Sequence, residues 1–280
     1  MTSSIKPEQS SYSFKNEHID VGPLLTDEKL KFLQAYSKEE DLQVLKKRVI
    51  DVRKESIEKN HVYRCIQHIM FLETRFDKHQ LYPEMINKLK TDQSSRILEL
   101  GCCFGTDVRK LLMDGVSSDQ IVASDLIPDF WNLGKKLYQD DQIVNQIKTV
   151  WGDFATSNAQ EGVDIEKENW NSSFDFIASW FVLHVFSKQQ CENFLKNVFK
   201  CLKNDGVYVG MCALSEKEGE WLKGENTSSA PRYLHSVSSL KSLLQGIGFS
   251  DVHVNLAENK NRPQQTENHI IGIFDARRRL

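Results

Sequence analysis

The residues best suited to chemistry form one stretch, Arg96–Asp107, which reads RILELGCCFGTD. Apolar residues surround a single acid, Glu99, and lead into Gly101, a short turn and Gly105. We expect a buried parallel strand, then a tight turn and the start of a helix. Gly101 suits a turn with positive φ, and Gly105 lets a helix or a ligand approach the backbone closely. The stretch therefore predicts a nucleotide pocket at the carboxyl end of a strand.

Two later strand ends carry carboxylates that suit a nucleoside. Asp125 follows the glycine turn by about twenty residues, and a carboxylate there can accept hydrogen bonds from both ribose hydroxyls. Leu126 would lie beside it, against a purine face. After the third predicted strand, Gly152-Asp153-Phe154 offers an acceptor for an exocyclic amine and a ring that can cover a base. The residues leave two alternatives open: a solvated or helix-terminal acid at Asp125, and an ordinary strand-end turn at Gly152.

The glycine turn lacks the complete dinucleotide fingerprint, G-x-G-x-x-G. Cys103 stands where the middle glycine would be. That glycine lets a pyrophosphate rest on the backbone, so a cysteine favours a ligand without phosphates. The pattern therefore argues against an NAD(P)-dependent oxidoreductase, which we keep as an alternative.

Composition limits the classes of partner. The chain has 280 residues, 40% of them hydrophobic, which is enough for one large α/β domain with a small addition. A net charge of −3 argues against nucleic acid as the main partner. No apolar run approaches the roughly 18 residues of a membrane span, and the first residues lack the apolar core of a secretory signal. The cysteines show no zinc-ligand spacing, so we expect a reduced, cytoplasmic protein without a metal.

The elements that position these residues fall into two parts. Residues 1–92 predict a loose polar arm and then a helical lid. Helices are expected over residues 26–59, with caps at Thr26 and Ser37, over residues 61–76, and from Pro83 to Lys90. We expect residues 93–280 to hold the binding domain. Its predicted strands cover residues 96–101, 121–125, 147–151, 174–179, 207–213, 252–256 and 269–274.

Helices are predicted between most of these strands, over residues 107–113, 128–138, 188–202 and 237–245. Ser187 would cap the third of them. This alternation indicates a doubly wound α/β fold with a parallel sheet. The last two strands have no helix between them, which favours an antiparallel strand at the edge of the sheet.

The motifs together resemble a known family. Glu99-x-Gly101-x-x-x-Gly105, Asp125 and Gly152-Asp153-Phe154 are similar to motifs of the class I S-adenosylmethionine-dependent methyltransferases. Leu202–Gly206 resembles that family's "LKPGG" turn before the fifth strand, and the resemblance covers about residues 80–280. Leu98–Leu126 more narrowly resembles methyltransferases of fungal secondary-metabolite clusters, including meroterpenoid carboxyl O-methyltransferases.

The resemblance implies a Rossmann-like, seven-stranded, mostly parallel sheet with an antiparallel last strand inserted in it. It also implies S-adenosylmethionine as the cofactor and S-adenosylhomocysteine as its product. The residues that would bind the cofactor are Glu99, Gly101, Cys102, Cys103 and Gly105 around its methionine part, Asp125 and Leu126 at ribose and adenine, Gly152, Asp153 and Phe154 at adenine, and Trp180 as a wall of the pocket.

Methyl transfer from a sulfonium is an in-line displacement that depends on positioning. A substrate carboxylate is already ionised near pH 7, whereas a phenol or an amine usually needs a general base. His184, just after the fourth strand, is the best candidate for a catalytic base, and its alternative is a hydrogen-bonded residue that supports the next loop. Tyr233 and His235 could reach the substrate cleft, but the sequence favours a place on a surface loop for both. Tyr12, Phe14 and Tyr36 are possible lid contacts.

The sequence thus predicts a methyltransferase that acts on a small secondary metabolite, through O-methylation of a carboxyl or a hydroxyl group. It is expected to act as a monomer or a homodimer, without a nucleic-acid or membrane partner. One alternative is a methyltransferase-like protein that binds the cofactor but acts as a cyclase or a regulatory module. A nucleic-acid methyltransferase is disfavoured, because the chain reads Ser179-Trp-Phe-Val after the fourth strand and lacks an [Asn/Asp]-Pro-Pro-[Tyr/Phe] motif there.

Overall fold

The structure is a computed structural model that describes residues 19–59, 61, 63–156, 162–221, 232–257 and 270–280. Most of the arm predicted over residues 1–24 lies outside the described residues, and so do the possible lid contacts Tyr12 and Phe14.

Strands alternate with helices through the second part of the chain. The strands are β1 (Ile97–Leu100), β2 (Ile121–Asp125), β3 (Lys148–Trp151), β4 (Phe174–Trp180), β5 (Leu202–Leu214), β6 (Gly219–Trp221), β7 (Arg232–Leu234), β8 (Phe249–Leu256) and β9 (Ile270–Arg278). Seven form one sheet in the order β3-β2-β1-β4-β5-β9-β8, and β6 pairs with β7 in a separate hairpin that the sequence did not predict. Pairing is parallel from β3 through to β5. The mostly parallel α/β sheet is therefore confirmed.

The last strand does not lie at the edge of the sheet, where the absence of a helix before it led us to expect it. β9 lies between β5 and β8 and runs antiparallel to both, so it is not an edge strand. It pairs with β5 from Val207 to Leu214 and buries Phe274 and Ala276. β8 alternates between buried and exposed residues and occupies the edge. The family resemblance implied this inserted position correctly, whereas the absence of a connecting helix did not reveal it.

Helices precede the sheet and cover both of its faces. They are α1 (Asp27–Ser37), α2 (Leu42–Glu58), α3 (Arg64–Gln67), α4 (Tyr82–Thr91), α5 (Thr106–Met113), α6 (Pro128–Tyr138), α7 (Asp141–Val144), α8 (Lys188–Cys201) and α9 (Val237–Ile247). The caps predicted at Thr26 and Ser187 are confirmed by hydrogen bonds from the backbone of α1 and α8. Ser37 instead ends α1, and Asp41 caps α2, so the capping box predicted at Ser37 is wrong.

The long helix predicted over residues 61–76 is also wrong. Among the residues described there, only α3 is α-helical, and two short 3-10 turns follow it. The backbone at Ile69 is left-handed, with φ of 56°, which ends the helical path. The backbone N–H groups of Arg75 and Phe76 donate to the Asp107 carboxylate, so they do not continue a helix. The helical spacing of the apolar residues predicted correctly that these residues are buried, but it predicted the wrong backbone conformation.

Three hydrophobic clusters organise the core. Leu98 and Leu100 of β1 pack on one face of the sheet with residues of α8 and α9. Ile97 packs on the other face with residues of α4, α5 and α6. The third cluster joins α1 and α2 to α6 and includes Phe104 of the glycine turn. Because side chains alternate along a strand, Glu99 lies on the same face as Ile97, beneath α4 and α5. The predicted boundary between residues 92 and 93 stays a prediction.

Candidate functional site

The carboxyl ends of β1 to β4 bring the predicted site residues to one edge of the sheet. Leu100 pairs with Ser124 of β2 and with Ser179 of β4. Asp125 in turn pairs with Trp151 at the end of β3. Four parts of the predicted site therefore lie at this edge. They are the glycine turn, Asp125, the Gly152-Asp153-Phe154 turn and the segment after Trp180. Ligands of open α/β sheets bind at this edge.

Backbone geometry explains both glycines of the turn. Gly101 has φ of 74°, and its N–H donates to the Ser124 carbonyl at 2.8 Å. The N–H of Cys102 donates to the same oxygen at 3.1 Å. Gly105 has φ of 69°, and a Cβ there would lie 2.6 Å from the Trp131 ring. The turn therefore needs glycine at both ends, once for its conformation and once also for close packing.

Cys103 joins the turn to Asp125. Its φ is 50°, an uncommon value for a side-chain-bearing residue, and its N–H donates to Asp125 Oδ2 at 2.8 Å. Asp125 Oδ1 accepts from the N–H of Ile127 at 3.0 Å. Burial raises the pKa of Asp125, and these backbone donors oppose the rise. The carboxylate is held in one orientation, and carboxylate oxygens have further lone pairs for ligand hydroxyls.

Glu99 is the least satisfied polar group of the site. It is 2% exposed, and its Oε2 has no hydrogen-bond partner in the part of the chain that the structure describes. Burial and the nearby Asp107 carboxylate raise the pKa of Glu99 well above its usual value, and the Arg75 charge opposes that rise. Buried polar atoms nearly always have partners, so this oxygen indicates a ligand that donates a hydrogen bond or carries positive charge.

Arg75 is a site residue that sequence reasoning missed. Its guanidinium lies over the Phe181 ring at 5.3 Å and 3.9 Å from Asp107. It also donates to the carbonyls of Met70 and Glu73, at 2.8 and 3.0 Å. The sequence placed Arg75 on a long helix, where its position relative to Glu99 was not predictable. It brings a positive charge to a part of the site that otherwise holds carboxylates.

A second missed group supports the turn from behind. Arg109 is fully buried and forms a bidentate ion pair with Asp140, at 2.7 and 2.8 Å. It also donates to the carbonyls of Phe104 and Gly105. Tyr36 of α1, one of the possible lid contacts, donates to Asp140 at 2.9 Å. Tyr36 therefore connects the N-terminal helices to the glycine turn through these two charges.

The residues predicted to contact adenine differ in their exposure and contacts. The N–H of Gly152 donates to the Asp125 carbonyl at 3.0 Å, which joins the two turns. Asp153 Oδ1 accepts from the N–H of Ala155 at 2.7 Å. The Phe154 ring is 6% exposed and packs in the core among aromatic rings, so it does not stand free over an open base site. Leu126 is 54% exposed, as a residue that contacts a ligand can be. These four roles at the cofactor stay predictions.

Trp180 and His184 lie at the end of β4. Trp180 packs edge-on against Phe76 at 4.9 Å, and its Nε1 has no hydrogen-bond partner among the described residues. His184 Nδ1 accepts from the N–H of Ala213 at 3.4 Å. The alternative role considered for His184, support of a neighbouring segment, is thus present in the structure. A further role in catalysis stays a prediction.

Tyr233 and His235 are buried, at 8% and 5% exposure, so the prediction of a surface loop is wrong. The His235 carbonyl accepts from the N–H of Ser215, just after β5. His235 Nδ1 lies 3.1 Å from Ser239 Oγ, whereas Nε2 has no partner in the described ranges. Burial lowers the pKa of His235 to about 4, so the ring is neutral near pH 7. Tyr233 lies in β7, which pairs with β6, and the residue pattern did not predict that pairing.

Other candidate sites carry less chemistry. A cavity of about 190 Å³ lies between α6 and β3, and another of about 220 Å³ lies beside His253 and Asp275. The first is lined in part by Trp131 and Trp151, and neither is lined by Glu99, Asp125 or His184. Within the described residues there is no group of three potential metal ligands. None of the helices in the same ranges is long and apolar enough to cross a membrane.

Comparisons with known proteins give a consistent result. Residues 97–206 match a family model described as a methyltransferase domain. The chain is 28% identical over 217 residues to O-methyltransferase atr3 of Stereocaulon alpinum, covering 77% of this chain and 60% of that protein. It is 25% identical over 185 residues to methyltransferase adrK of Penicillium rubens, covering 66% and 64%. The chain thus spans less than two thirds of the length of these two relatives.

A solved structure supports the fold. The 1,6-didemethyltoxoflavin-N1-methyltransferase of Burkholderia thailandensis, with bound 1,6-didemethyltoxoflavin and S-adenosylhomocysteine, aligns with a TM-score of 0.50 at 15% identity. The alignment covers 70% of this chain and 77% of that one. At this identity the similarity supports the Rossmann-like fold alone.

Proposed function

We propose that this chain, which contains a class I S-adenosylmethionine-dependent methyltransferase domain and is distantly homologous to fungal methyltransferases such as adrK, methylates an oxygen of a small secondary metabolite. The acceptor is a carboxyl or a hydroxyl group. Two facts support oxygen as the acceptor: the resemblance of Leu98–Leu126 to carboxyl O-methyltransferases, and the relative that carries the name O-methyltransferase.

The observation that carries the proposal is Glu99 Oε2, beside the glycine turn, which has no hydrogen-bond partner among the described residues. The methionine end of S-adenosylmethionine is a zwitterion with an ammonium and a carboxylate. The ammonium suits Glu99, because it donates hydrogen bonds and its charge offsets the cost of the buried carboxylate. The Arg75 guanidinium, whose charge acts on Glu99, suits the carboxylate. The residues present therefore fit this cofactor at its most polar end.

The nucleoside end would lie against the neighbouring strand ends. In this proposal Asp125 holds the ribose hydroxyls, while Leu126 and Asp153 lie at adenine. Gly101, Cys102 and Gly105 form the backbone wall beside the methionine part. The absence of a middle glycine at Cys103 agrees with a cofactor that has no phosphates.

When bound, the cofactor supplies a methyl group on a positively charged sulfur. The chain's own residues then need to position the acceptor oxygen and exclude water. Since His184 Nδ1 accepts a backbone hydrogen bond, a neutral ring carries its proton on Nε2. Nδ1 is thus engaged by the backbone and is not available to take a proton from a substrate hydroxyl. This contact agrees with a carboxyl acceptor, which needs no base.

Calorimetric titration is the first test. The reduced protein is expected to bind S-adenosylmethionine and S-adenosylhomocysteine with micromolar affinity and not to bind NADPH. Binding of NADPH alone would favour an oxidoreductase and contradict the proposal.

The acceptor is tested with isotopically labelled S-adenosylmethionine and a panel of terpenoid and aromatic acids and their hydroxylated analogues. A product heavier by one methyl group that releases methanol in alkali identifies a carboxyl acceptor, since esters hydrolyse and ethers do not. A substrate that is isomerised without a gain in mass would favour the cyclase alternative.

A further inference from the structure

Two buried polar atoms without hydrogen-bond partners lie on one face of the sheet, at the edge that holds the proposed cofactor site. They are Oε2 of Glu99 and Nε1 of Trp180, and neither has a partner among the residues that the structure describes. Glu99 pairs with Ala178 of β4, and Trp180 lies two residues further along that strand. Because alternate residues of a strand share a face, both side chains lie on the face that α4 covers.

The indole of Trp180 is packed on its sides, while its N–H stays unused. The residue is 6% exposed, and its ring packs edge-on against Phe76 at 4.9 Å. The ring of His79 lies 6.3 Å away and has both nitrogens engaged. Its Nδ1 accepts from the N–H of Leu81, and its Nε2 lies 3.1 Å from the carbonyl oxygen of Phe274. His79 therefore cannot accept from the indole, and a buried donor without an acceptor indicates a ligand.

An unpartnered indole is not by itself a binding site, because Nε1 of Trp170 also lacks a partner among the described residues. Trp170 belongs to the cluster on the opposite face and packs edge-on against Phe174, the first residue of β4. Trp180 is the last residue of the same strand. Of the two, Trp180 alone lies at the edge where ligands of open α/β sheets bind, and it lies there beside a second unpartnered polar atom.

The order of the strands indicates which ligand the N–H of Trp180 contacts. In the proposed function, adenine lies at the end of β3, ribose at the end of β2 and the methionine part at the end of β1. The next strand in the sheet is β4, followed by β5. The ends of these two strands are therefore left for the acceptor of the methyl group. Glu99 and Arg75 already serve the two charged groups of the methionine part, which leaves the Trp180 donor for the acceptor.

We propose that Nε1 of Trp180 donates a hydrogen bond to the carboxylate of the acceptor and thereby selects carboxylic acids as substrates. This inference rests on the proposed function, because it names the acceptor class of the same site. An indole has one donor, so it holds one carboxylate oxygen and leaves the other free. The free oxygen attacks the methyl carbon, the C–S bond breaks and its electron pair stays on sulfur. The products are a methyl ester and S-adenosylhomocysteine, and no proton is transferred.

The charge of the acid explains how a single donor can discriminate. A hydrogen bond to an ionised carboxylate is about twice as strong as one to a neutral group. The primary amide of the same acid has a similar shape but no charge, so the donor holds it less tightly. The methyl ester has also lost the charge, which favours release of the product.

The first test observes the indole N–H directly, in the full chain with S-adenosylhomocysteine added. The chain has five tryptophans, and the Trp180 signal in a ¹⁵N spectrum is assigned by its loss in Trp180→Phe or by its proximity to the Phe76 ring. Farnesoic acid or benzoate is expected to shift this signal downfield, because a carboxylate deshields the proton that it accepts. The primary amides should shift it less. A Trp180 signal that responds to neither acid would overturn the proposal.

Affinities separate this role from a purely structural one. Trp180→Phe is expected to bind the two acids about 10- to 100-fold more weakly, while the affinity for their amides changes by less than about threefold. Trp170→Phe is the matched control, because it removes an unpartnered indole N–H at the other end of β4 and should keep the affinity for acids. An equal loss for acids and amides, or an equal loss in Trp170→Phe, would show that the indole serves packing only.

The affinity for S-adenosylhomocysteine separates the remaining cases. Trp180→Phe should keep this affinity within about twofold of wild type. A loss as large as the loss for acids would assign the N–H to the cofactor and overturn the inference, while leaving the proposed function intact. Failure of the wild type to bind S-adenosylhomocysteine would contradict the proposed function instead, and the response of the indole signal to the acids alone would still test Trp180.

Discussion

At the ends of β1, β2 and β3, short contiguous motifs hold one another through backbone groups. The N–H of Cys103 reaches Asp125, and the N–H of Gly152 reaches the Asp125 carbonyl. At the ends of β4 and β5 the contacts span similar separations in sequence, but they join segments that carry no recognisable motif, as between His184 and Ala213 or between Ser215 and His235. The half of the site that we propose for the cofactor can therefore be recognised from its motifs, whereas the other half depends on how the chain returns to the sheet. Substitutions in the two halves should have different consequences.

The largest effect is expected from Gly105→Ala, which acts on the half proposed for the cofactor. Its Cβ would lie 2.6 Å from the Trp131 ring, at a backbone φ of 69°. Strain and overpacking together should lower the free energy of unfolding by about 2–4 kcal/mol, which urea denaturation measures. Gly246→Ala is the matched control, since nothing lies within 4 Å of its added Cβ. Equal stability of the two variants would show that the turn does not need this glycine.

Arg75→Gln tests whether the half of the site proposed for the cofactor also needs a residue from the N-terminal region. Loss of a charged partner should weaken binding of S-adenosylhomocysteine by roughly 10- to 100-fold. Binding of 5′-methylthioadenosine, which lacks the aminocarboxylate end, should not change. Calorimetry with both ligands separates the two cases. Equal weakening of both would indicate that Arg75 only supports the structure, through Met70 and Glu73.

Asp125→Ala should weaken binding of S-adenosylhomocysteine by about 1–3 kcal/mol, because it removes the acceptor for two ribose hydroxyls. Binding of 5′-methylthioadenosine should weaken equally, since both ligands carry the ribose. Asp129→Ala serves as the control, because that carboxylate pairs with Lys59 and His61 outside the proposed contacts. Unchanged affinity in Asp125→Ala would remove Asp125 from the ribose role.

Glu99→Gln should affect stability and binding in opposite directions. The pKa of Glu99 is raised in the folded protein, so between its ordinary value and that raised value the folded state holds a proton that the unfolded chain has lost. The stability of the wild type therefore falls as pH rises through this window. Glutamine does not titrate, so the variant does not lose this stability. The variant should melt at a higher temperature than wild type at pH 7, with the difference absent at pH 4. It should also bind S-adenosylhomocysteine more weakly, and a stability difference independent of pH would contradict the assignment.

The smallest effect is expected in the second half. His184→Ala should leave the affinity for S-adenosylhomocysteine within about twofold of wild type, because His184 contacts Ala213 near the end of β5. Once a carboxyl substrate is identified, turnover should fall by less than about tenfold, since a carboxylate needs no base. A loss beyond about 100-fold in kcat would instead indicate acid–base chemistry or tight orientation of the substrate by His184.

Much of the fold could be predicted because its signals are short in range. α6 matches the predicted residues 128–138, and β2 matches residues 121–125. Capping residues and buried apolar runs determine such elements locally. The prediction over residues 61–76 failed because Arg75 and Phe76 bond to Asp107, which is 31 residues or more away. A helical apolar period reports burial, and it cannot report a competing side-chain partner.

The sequence by itself determined the class of fold, the glycine turn and the carboxylates that end β1 and β2. Each depends on residues a few positions apart, and parallel pairing then brings the strand ends together. Only the tertiary structure decided that Arg75 lies 3.9 Å from Asp107 and that His235 is buried. These contacts join segments whose approach follows from packing of α1 to α4 and of the β6–β7 hairpin. Long-range packing of this kind leaves no periodic signal in one sequence, because many different partners could bury the same side chain equally well.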